Sequence, residues 1–229
     1  MMHDLDRPIW ESLNTFHARF AEGDERAKRF MRDVNLFASA RDDGAEAQTA
    51  LAALVRPGER VYILQVPAIA IPPGLRAKRT ALGVQMVATR SVAAERDDAI
   101  TLLTDADAPE MLALATLTEP GPFVARTHRM GRFVGVRIDG RLASMAGERM
   151  RFPGYTEVSG VCTHPDFRGR GLARRLSASV TAAIQGRGDR PFLHSWAANA
   201  AAIALYHGLG FEIRENVNVA VLERNEPTA

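Results

Sequence analysis

Apolar and polar residues change their spacing along this chain, and the changes mark out its elements. From residue 98 onward the pattern is regular. "AITLLT" (99–104) reads as a strand, and Thr104-x-x-Asp107 opens a helix carrying Met111, Leu112, Leu114 and Ala115. "RFVGVRID" (132–139) runs through the hairpin dipeptide Asp139-Gly140 into "RLASMAGERMRF" (141–152). "YTEVSGVCTHP" (155–165) is a third strand, ended by proline. Leu172, Leu176, Val180 and Ile184 recur every four residues, which places them on one face of a helix that stops in "GRGD" (186–189). "PFLHSWA" (191–197) is a strand and "NAAAIALYHGLGF" (199–211) a helix, with Gly210 at the left-handed position that ends it. "EIRENVNVAVLER" (212–224) closes as one or two strands. The order β-α-β-β-β-α-β-α-β(β) predicts an α/β (α+β) domain whose sheet is antiparallel in its hairpin part.

The first 97 residues are less regular. Trp10, Leu13, Phe16, Phe20, Phe30, Val34 and Phe37 are spaced as anchors of amphipathic helix in pieces over 9–38. Residues 46–55 predict a helix stopped by Pro57-Gly58, and "RVYILQV" (60–66) a short buried strand. Residues 67–76 read as loop and "LGVQMVATR" (82–90) as another strand. The polar stretch 92–99 marks a boundary between residues 1–97 and 98–224.

Composition narrows the function classes. Hydrophobic residues make up 46% and charged residues 24% of the 229, ordinary for a globular chain. Lys and Arg number 29 against 27 Asp and Glu, so the net charge is only +2 and no broad basic surface for nucleic acid is expected. The single cysteine, Cys162, excludes an intramolecular disulfide and a Cys-rich zinc site. His164, His194 and His207 lack metal-ligand spacing, so no metal is expected. The charged start "MMHDLDRPIW" does not read as a signal peptide, and no apolar run is long enough to cross a bilayer. A cytoplasmic protein without a membrane partner is the expectation.

One short stretch concentrates chemistry. "THPDFRGRGLARR" (163–175) lies between a strand and an amphipathic helix. A helix start exposes unpaired N–H groups and partial positive charge, and glycines let backbone approach an anion closely. The missing Lys-Ser/Thr excludes a P-loop, and Arg174 occupies the third glycine position of a dinucleotide fingerprint. Locally, two readings stand: a phosphate cradle, or an arginine-rich helix start that turns the chain.

Residues 98–224 resemble the GNAT superfamily, the acyl-CoA-dependent N-acyltransferases. Arg168, Gly171 and Ala173 meet that family's Arg/Gln-x-x-Gly-x-Gly/Ala loop, preceded by the apolar-x-x-x-Pro lead of "VCTHPDFRG". "NAAAIALYHGLGF" (199–211) matches its Asn…Ala…Leu-Tyr-x-x-x-Gly-Phe segment, about 25 residues further on. The resemblance implies a mostly antiparallel mixed sheet flanked by helices, with residues 1–97 either a degenerate half of the same design or a lid. It implies acetyl-CoA as cosubstrate, its arm lying in a wedge between strands 156–163 and 191–197. Backbone of Val161, Cys162 and Thr163 would pair with that arm. The N–H groups of Gly169, Arg170, Gly171, Leu172 and Ala173 would hold the pyrophosphate, with Arg168 holding the loop and Arg170 touching phosphate.

The same resemblance gives single residues roles. Tyr206 would protonate the departing thiolate; a core tyrosine is the structural reading. Asn199 would contact the cofactor arm, and it also suits a helix N-cap. Glu157, with its pKa raised by burial, or an ordered water would act as base; a solvated strand glutamate or one paired with an arginine is the structural reading. Strand alternation puts Glu157 on the face of Ser159 and Val161, with Cys162 opposite as a small buried hydrophobe. The implied activity is N-acetyl transfer to a small-molecule or peptide amine by direct attack, with no nucleic acid involved. A silent CoA-binding sensor or scaffold is the alternative.

Overall fold

The structure, a computed structural model, describes residues 3–93 and 97–225; the centre of the 92–99 boundary lies outside them. In chain order the elements are α1 (Pro8–Asn14), β1 (Ala21–Gly23), β2 (Ala27–Phe30), β3 (Ala38–Ala40), α2 (Ala45–Ala53), β4 (Arg60–Gln65) and β5 (Leu75–Ala88). There follow β6 (Ile100–Leu103), α3 (Ala108–Thr118), β7 (Phe133–Ile138), β8 (Arg141–Phe152) and β9 (Tyr155–Thr163). α4 (Leu172–Gly186), β10 (Arg190–Trp196), α5 (Ala200–Gly208) and β11 (Phe211–Arg224) complete the chain.

The C-terminal elements match the hydrophobic pattern closely. Residues 212–224 belong to one strand, irregular at Ile213–Glu215 and Val221–Leu222. The first forty residues do not match. Helix α1 stops at Asn14, and the predicted helical pieces beyond it are the short strands β1, β2 and β3. The turn explains this: Gly23 has φ +119°, and Asp24 Oδ1 accepts from the backbone of Arg26 and Ala27, closing the β1–β2 hairpin. Leu13 is buried on helix α1 as expected; Phe20, Phe30, Val34 and Phe37 are buried too, but from a single 3-10 turn, a strand and turns, whereas Phe16 is exposed. Strand β5 also begins earlier than its apolar half, because the polar stretch 75–81 pairs with β11.

Eight strands form one sheet in the order β4-β11-β5-β10-β9-β8-β7-β6, and β1-β2-β3 form a small second one. The eight-stranded sheet is antiparallel except where β10 runs beside β9. The residues before and after 97 share it by exchanging strands. β5 lies between β10 and β11, and β11 lies between β4 and β5. The element order α1–β1–β2–β3–α2–β4–β5 recurs in β6–α3–β7–β8–β9–α4–β10–α5–β11, with β6 added in front and α5 added between the last two strands. A parallel bridge between Phe37 and Tyr62 stands in the first set where the β9–β10 pair stands in the second.

Helix α4 packs on one sheet face through Leu172, Leu176, Val180 and Ile184, with Val134, Val136, Val158 and Leu193 beneath. Leu5, Ile9 and Leu13 cover the other face over Met150, Phe152 and Phe192. The strand exchange needs close backbone approach at Gly83, where a Cβ would stand 2.9 Å from the Ser195 carbonyl oxygen and 3.0 Å from Val217 Cγ2. Gly83→Ala is therefore expected to cost about 1–3 kcal/mol by overpacking. Urea unfolding measures it; an unchanged midpoint contradicts the close fit.

Candidate active site

The site begins where two parallel strands part. β9 and β10 pair at only three positions, Tyr155–Arg190, Thr156–Pro191 and Glu157–Phe192. Beyond them β10 keeps β5 on its other edge as far as Trp196–Gly83, while β9 keeps β8 as far as Thr163–Ser144. From Val158 to Thr163 the edge of β9 that faces β10 has no strand partner. The expected wedge is present, and it leaves backbone donors and acceptors without sheet partners.

Two bulges shape it. Gly160 and Val161 together oppose Ala146, with Gly160 at φ +63°. A Cβ on Gly160 would stand 2.8 Å from Phe133 Cε1, so space and backbone conformation both require glycine. The extra residue reverses the alternation that the sequence implies. Val161 packs toward α4, and Cys162 packs with Met111, Leu114 and Phe133. Cys162 is thus on the face of Glu157 and Ser159, not opposite them. Burial pushes its thiol up to about 11, which keeps it neutral and inert as a nucleophile.

In the second bulge, Arg149 and Met150 of β8 oppose the single residue Glu157. Arg149 Nε and Nη2 each donate to Glu157 at 2.7 Å, the Met150 N–H donates to Oε2 at 3.3 Å, and His194 Nδ1 meets Oε1 at 2.8 Å. Gln85 Nε2 donates to Leu5 O at 2.8 Å and to His194 Nε2 at 3.0 Å, which leaves the ring proton on Nδ1. Arg214 fixes the Gln85 amide at 2.8 Å and holds Asp6 at 2.6 Å. A buried polar chain therefore runs from the N-terminal segment to the wedge.

This chain overturns the expected pKa of Glu157. The carboxylate is fully buried, and burial alone raises its pKa; the Arg149 charge, its two hydrogen bonds and His194 outweigh that and hold it at about 2. With its oxygens engaged by four donors, Glu157 is an anchor for Arg149 and His194 and a poor proton acceptor. The spacing of β8 and β10 in the sequence carried no hint of these partners. The adjacent charges Glu148-Arg149 in the middle of strand β8 were the one available signal.

At the start of α4 the loop turns through two left-handed glycines. Gly169 and Gly171 have φ of +76° and +72°, and no side chain caps the helix. A Cβ at either glycine would meet nothing within 4 Å, so conformation alone requires glycine there. The free N–H groups of residues 169–173 suit a phosphate, and neighbouring glycines leave room for one. Arg170 and Arg141 lie 5.4 and 5.3 Å from the centre of the Phe167 ring. Arg175 is held by Asp97 at 2.7 Å. Asn199 caps α5 by accepting from Ala202 N at 3.1 Å. Tyr206 is buried between α4 and the sheet, its ring edge-on to Phe211 at 5.9 Å, and burial pushes its phenol up to about 12.

Known proteins share this design. Residues 133–219 match the family described as FR47-like protein. The chain is 31% identical over 137 residues to the [ribosomal protein bS18]-alanine N-acetyltransferase of Salmonella typhimurium, across 57% of this chain and 88% of the relative. This chain belongs to the GNAT superfamily. A putative GNAT acetyltransferase from Novosphingobium aromaticivorans is 44% identical, covers 98% of this chain and 100% of its own, and superposes with a TM-score of 0.93. A GCN5-related N-acetyltransferase from Kribbella flavida shares the fold at 19% identity and TM-score 0.64, covering 100% and 98%. GNAT acetyltransferases use acetyl-CoA. Among its described residues, no cluster of His, Cys, Asp or Glu could hold a metal ion, and no helix is long and apolar enough to cross a membrane.

The role of Glu157 is open to titration. A carboxyl held at about 2 against 4.5 when free contributes stability above the higher value and loses it as pH falls toward the lower. The stability gap between the wild type and Glu157→Gln should be largest at neutral pH and close between those values. A gap independent of pH in urea titrations contradicts the anchored carboxylate.

Proposed function

We propose that this protein is an acetyl-CoA-dependent N-acetyltransferase. The parting of β9 from β10 beside the glycine loop carries the reading. When bound, acetyl-CoA supplies the acetyl thioester. The backbone of Val161, Cys162 and Thr163 would hold its pantetheine arm as an added strand. Arg168, Arg170 and the N–H groups of Gly169, Gly171, Leu172 and Ala173 would hold its pyrophosphate, and Asn199 would border the arm while capping α5.

The acceptor amine attacks the thioester carbonyl directly: a C–N bond forms and the C–S bond breaks. Backbone N–H beside the Gly160–Val161 bulge stabilises the charge developing on the carbonyl oxygen. The amine's proton leaves through solvent, since Glu157 is saturated by donors. Tyr206, neutral at working pH, gives its proton to the departing thiolate and regains one from solvent.

Residues 1–97 are, on this reading, a degenerate half of the same design. The repeated element order and the Phe37–Tyr62 bridge support it. Helix α2, the counterpart of α4, follows Arg41-Asp42-Asp43-Gly44, so Asp42 and Asp43 stand where the α4 loop has Gly169 and Arg170. Acidic side chains there repel phosphate, so one acetyl-CoA per chain is expected. The Salmonella relative acts on an alanine of a ribosomal protein, by its name; a peptide amine is one candidate acceptor here.

A thermal-shift titration tests the proposal. Acetyl-CoA at about 100 times its dissociation constant should add about 2.7 kcal/mol of stability. Thiol release over a panel of amines should follow, and Tyr206→Phe should slow it about 10–1000-fold with the thermal shift kept. No shift removes the acetyl-CoA reading; a shift without thiol release from any amine points to a sensor.

A further inference from the structure

Glu157 engages only two of the three guanidinium nitrogens of Arg149. Nε and Nη2 face the carboxylate, whereas Nη1 makes no hydrogen bond within the protein among the described residues. The side chain is 8% exposed and lies over Phe37, its guanidinium carbon 4.6 Å from the ring centre. It is therefore fixed on two sides, with one donor edge left over.

Arg149, Ser159 and Gly160 line a narrow recess under the loop Pro120–Phe123, and the Nη1 edge lies against that loop. Gly121 in that loop, at φ +123°, would place a Cβ only 3.6 Å from Arg149 Nη1. Gly160 belongs to the bulge where the acetyl carbonyl would be polarised. The recess is too tight for a water-sized sphere as it stands, so the loop must shift outward to admit a group. An oriented guanidinium edge beside the reaction point suits an oxygen acceptor carried close to the attacking amine. The Arg149–Glu157 pair is neutral overall, so a carbonyl oxygen fits as well as a carboxylate.

Resting on the N-acetyltransferase reading, we propose that Arg149 selects the acceptor. Its Nη1 edge binds an oxygen on the carbon next to the amine-bearing one, so the acceptors are α-amino-carbonyl compounds: free α-amino acids or the first residue of a peptide. Arg149 and Gly160 line the same recess, so the amine and the oxygen must lie close together on the acceptor. Glu157 is then a positioning residue that holds Arg149 in place.

Ligand-observed NMR titrations of the CoA-saturated protein test this with three amines. Alanine carries a free carboxylate, alanylglycinamide a peptide carbonyl, and isopropylamine no oxygen. At least one of the first two should bind about tenfold or more tighter than isopropylamine. Tighter alanine assigns free amino acids, and tighter alanylglycinamide assigns peptide N-termini. Arg149→Lys should abolish the difference. So should the double variant Arg149→Met/Glu157→Gln, which removes the buried charges together and avoids stranding one. Equal binding of all three amines, no binding of any, or a difference kept by a folded variant overturns the proposal. Thiol release measured alongside separates the two readings. Turnover without discrimination sinks only the selection by Arg149; discrimination without turnover sinks only the transferase.

Discussion

The site depends on two strands parting while each keeps one partner. A strand that leaves its neighbour exposes a row of backbone donors and acceptors, which is costly unless another edge holds it in the sheet. Here β10 leaves β9 after Phe192 but stays bound to β5, and β9 stays bound to β8. Strand β5 comes from the first hundred residues. The N-terminal stretch is thus structural support for the wedge, inserted where β10 and β11 would otherwise meet.

The exchange of β5 and β11 ties the halves of the chain together across the sheet, and a buried polar chain ties them again on its face. Asp6, Arg214, Gln85, His194, Glu157 and Arg149 follow one another by hydrogen bonds. Each member is oriented by the next, and truncation at one point would strand buried charge elsewhere. The carboxylate at its centre is spent on geometry. Its low pKa follows from Arg149, and the same interaction leaves the Nη1 edge beside the Pro120–Phe123 loop.

Much of the C-terminal architecture was legible in the sequence because its signals are local. Asp139-Gly140 specifies a hairpin, the four-residue repeat from Leu172 specifies α4, and Gly169 and Gly171 specify the loop before it. Local signals also misled: the anchors from Trp10 to Phe37 suggested helix, and only the Gly23–Asp24 turn and packing against the main sheet make them strands. Single-residue bulges were invisible. One of them moves Cys162 to the face of Glu157, and the other brings Arg149 onto Glu157. Arg149, His194 and Gln85 meet across three strands far apart in sequence, so no motif could reveal them.

The central claim is that the parted strands receive the arm of acetyl-CoA as an added strand. Amide hydrogen exchange with and without CoA tests it most directly. The account predicts slower exchange in peptides spanning 158–163, 169–173 and 193–196, with little change in the exposed β5 stretch 76–81. Protection confined to other elements, with the wedge and loop amides exchanging as before, would contradict it.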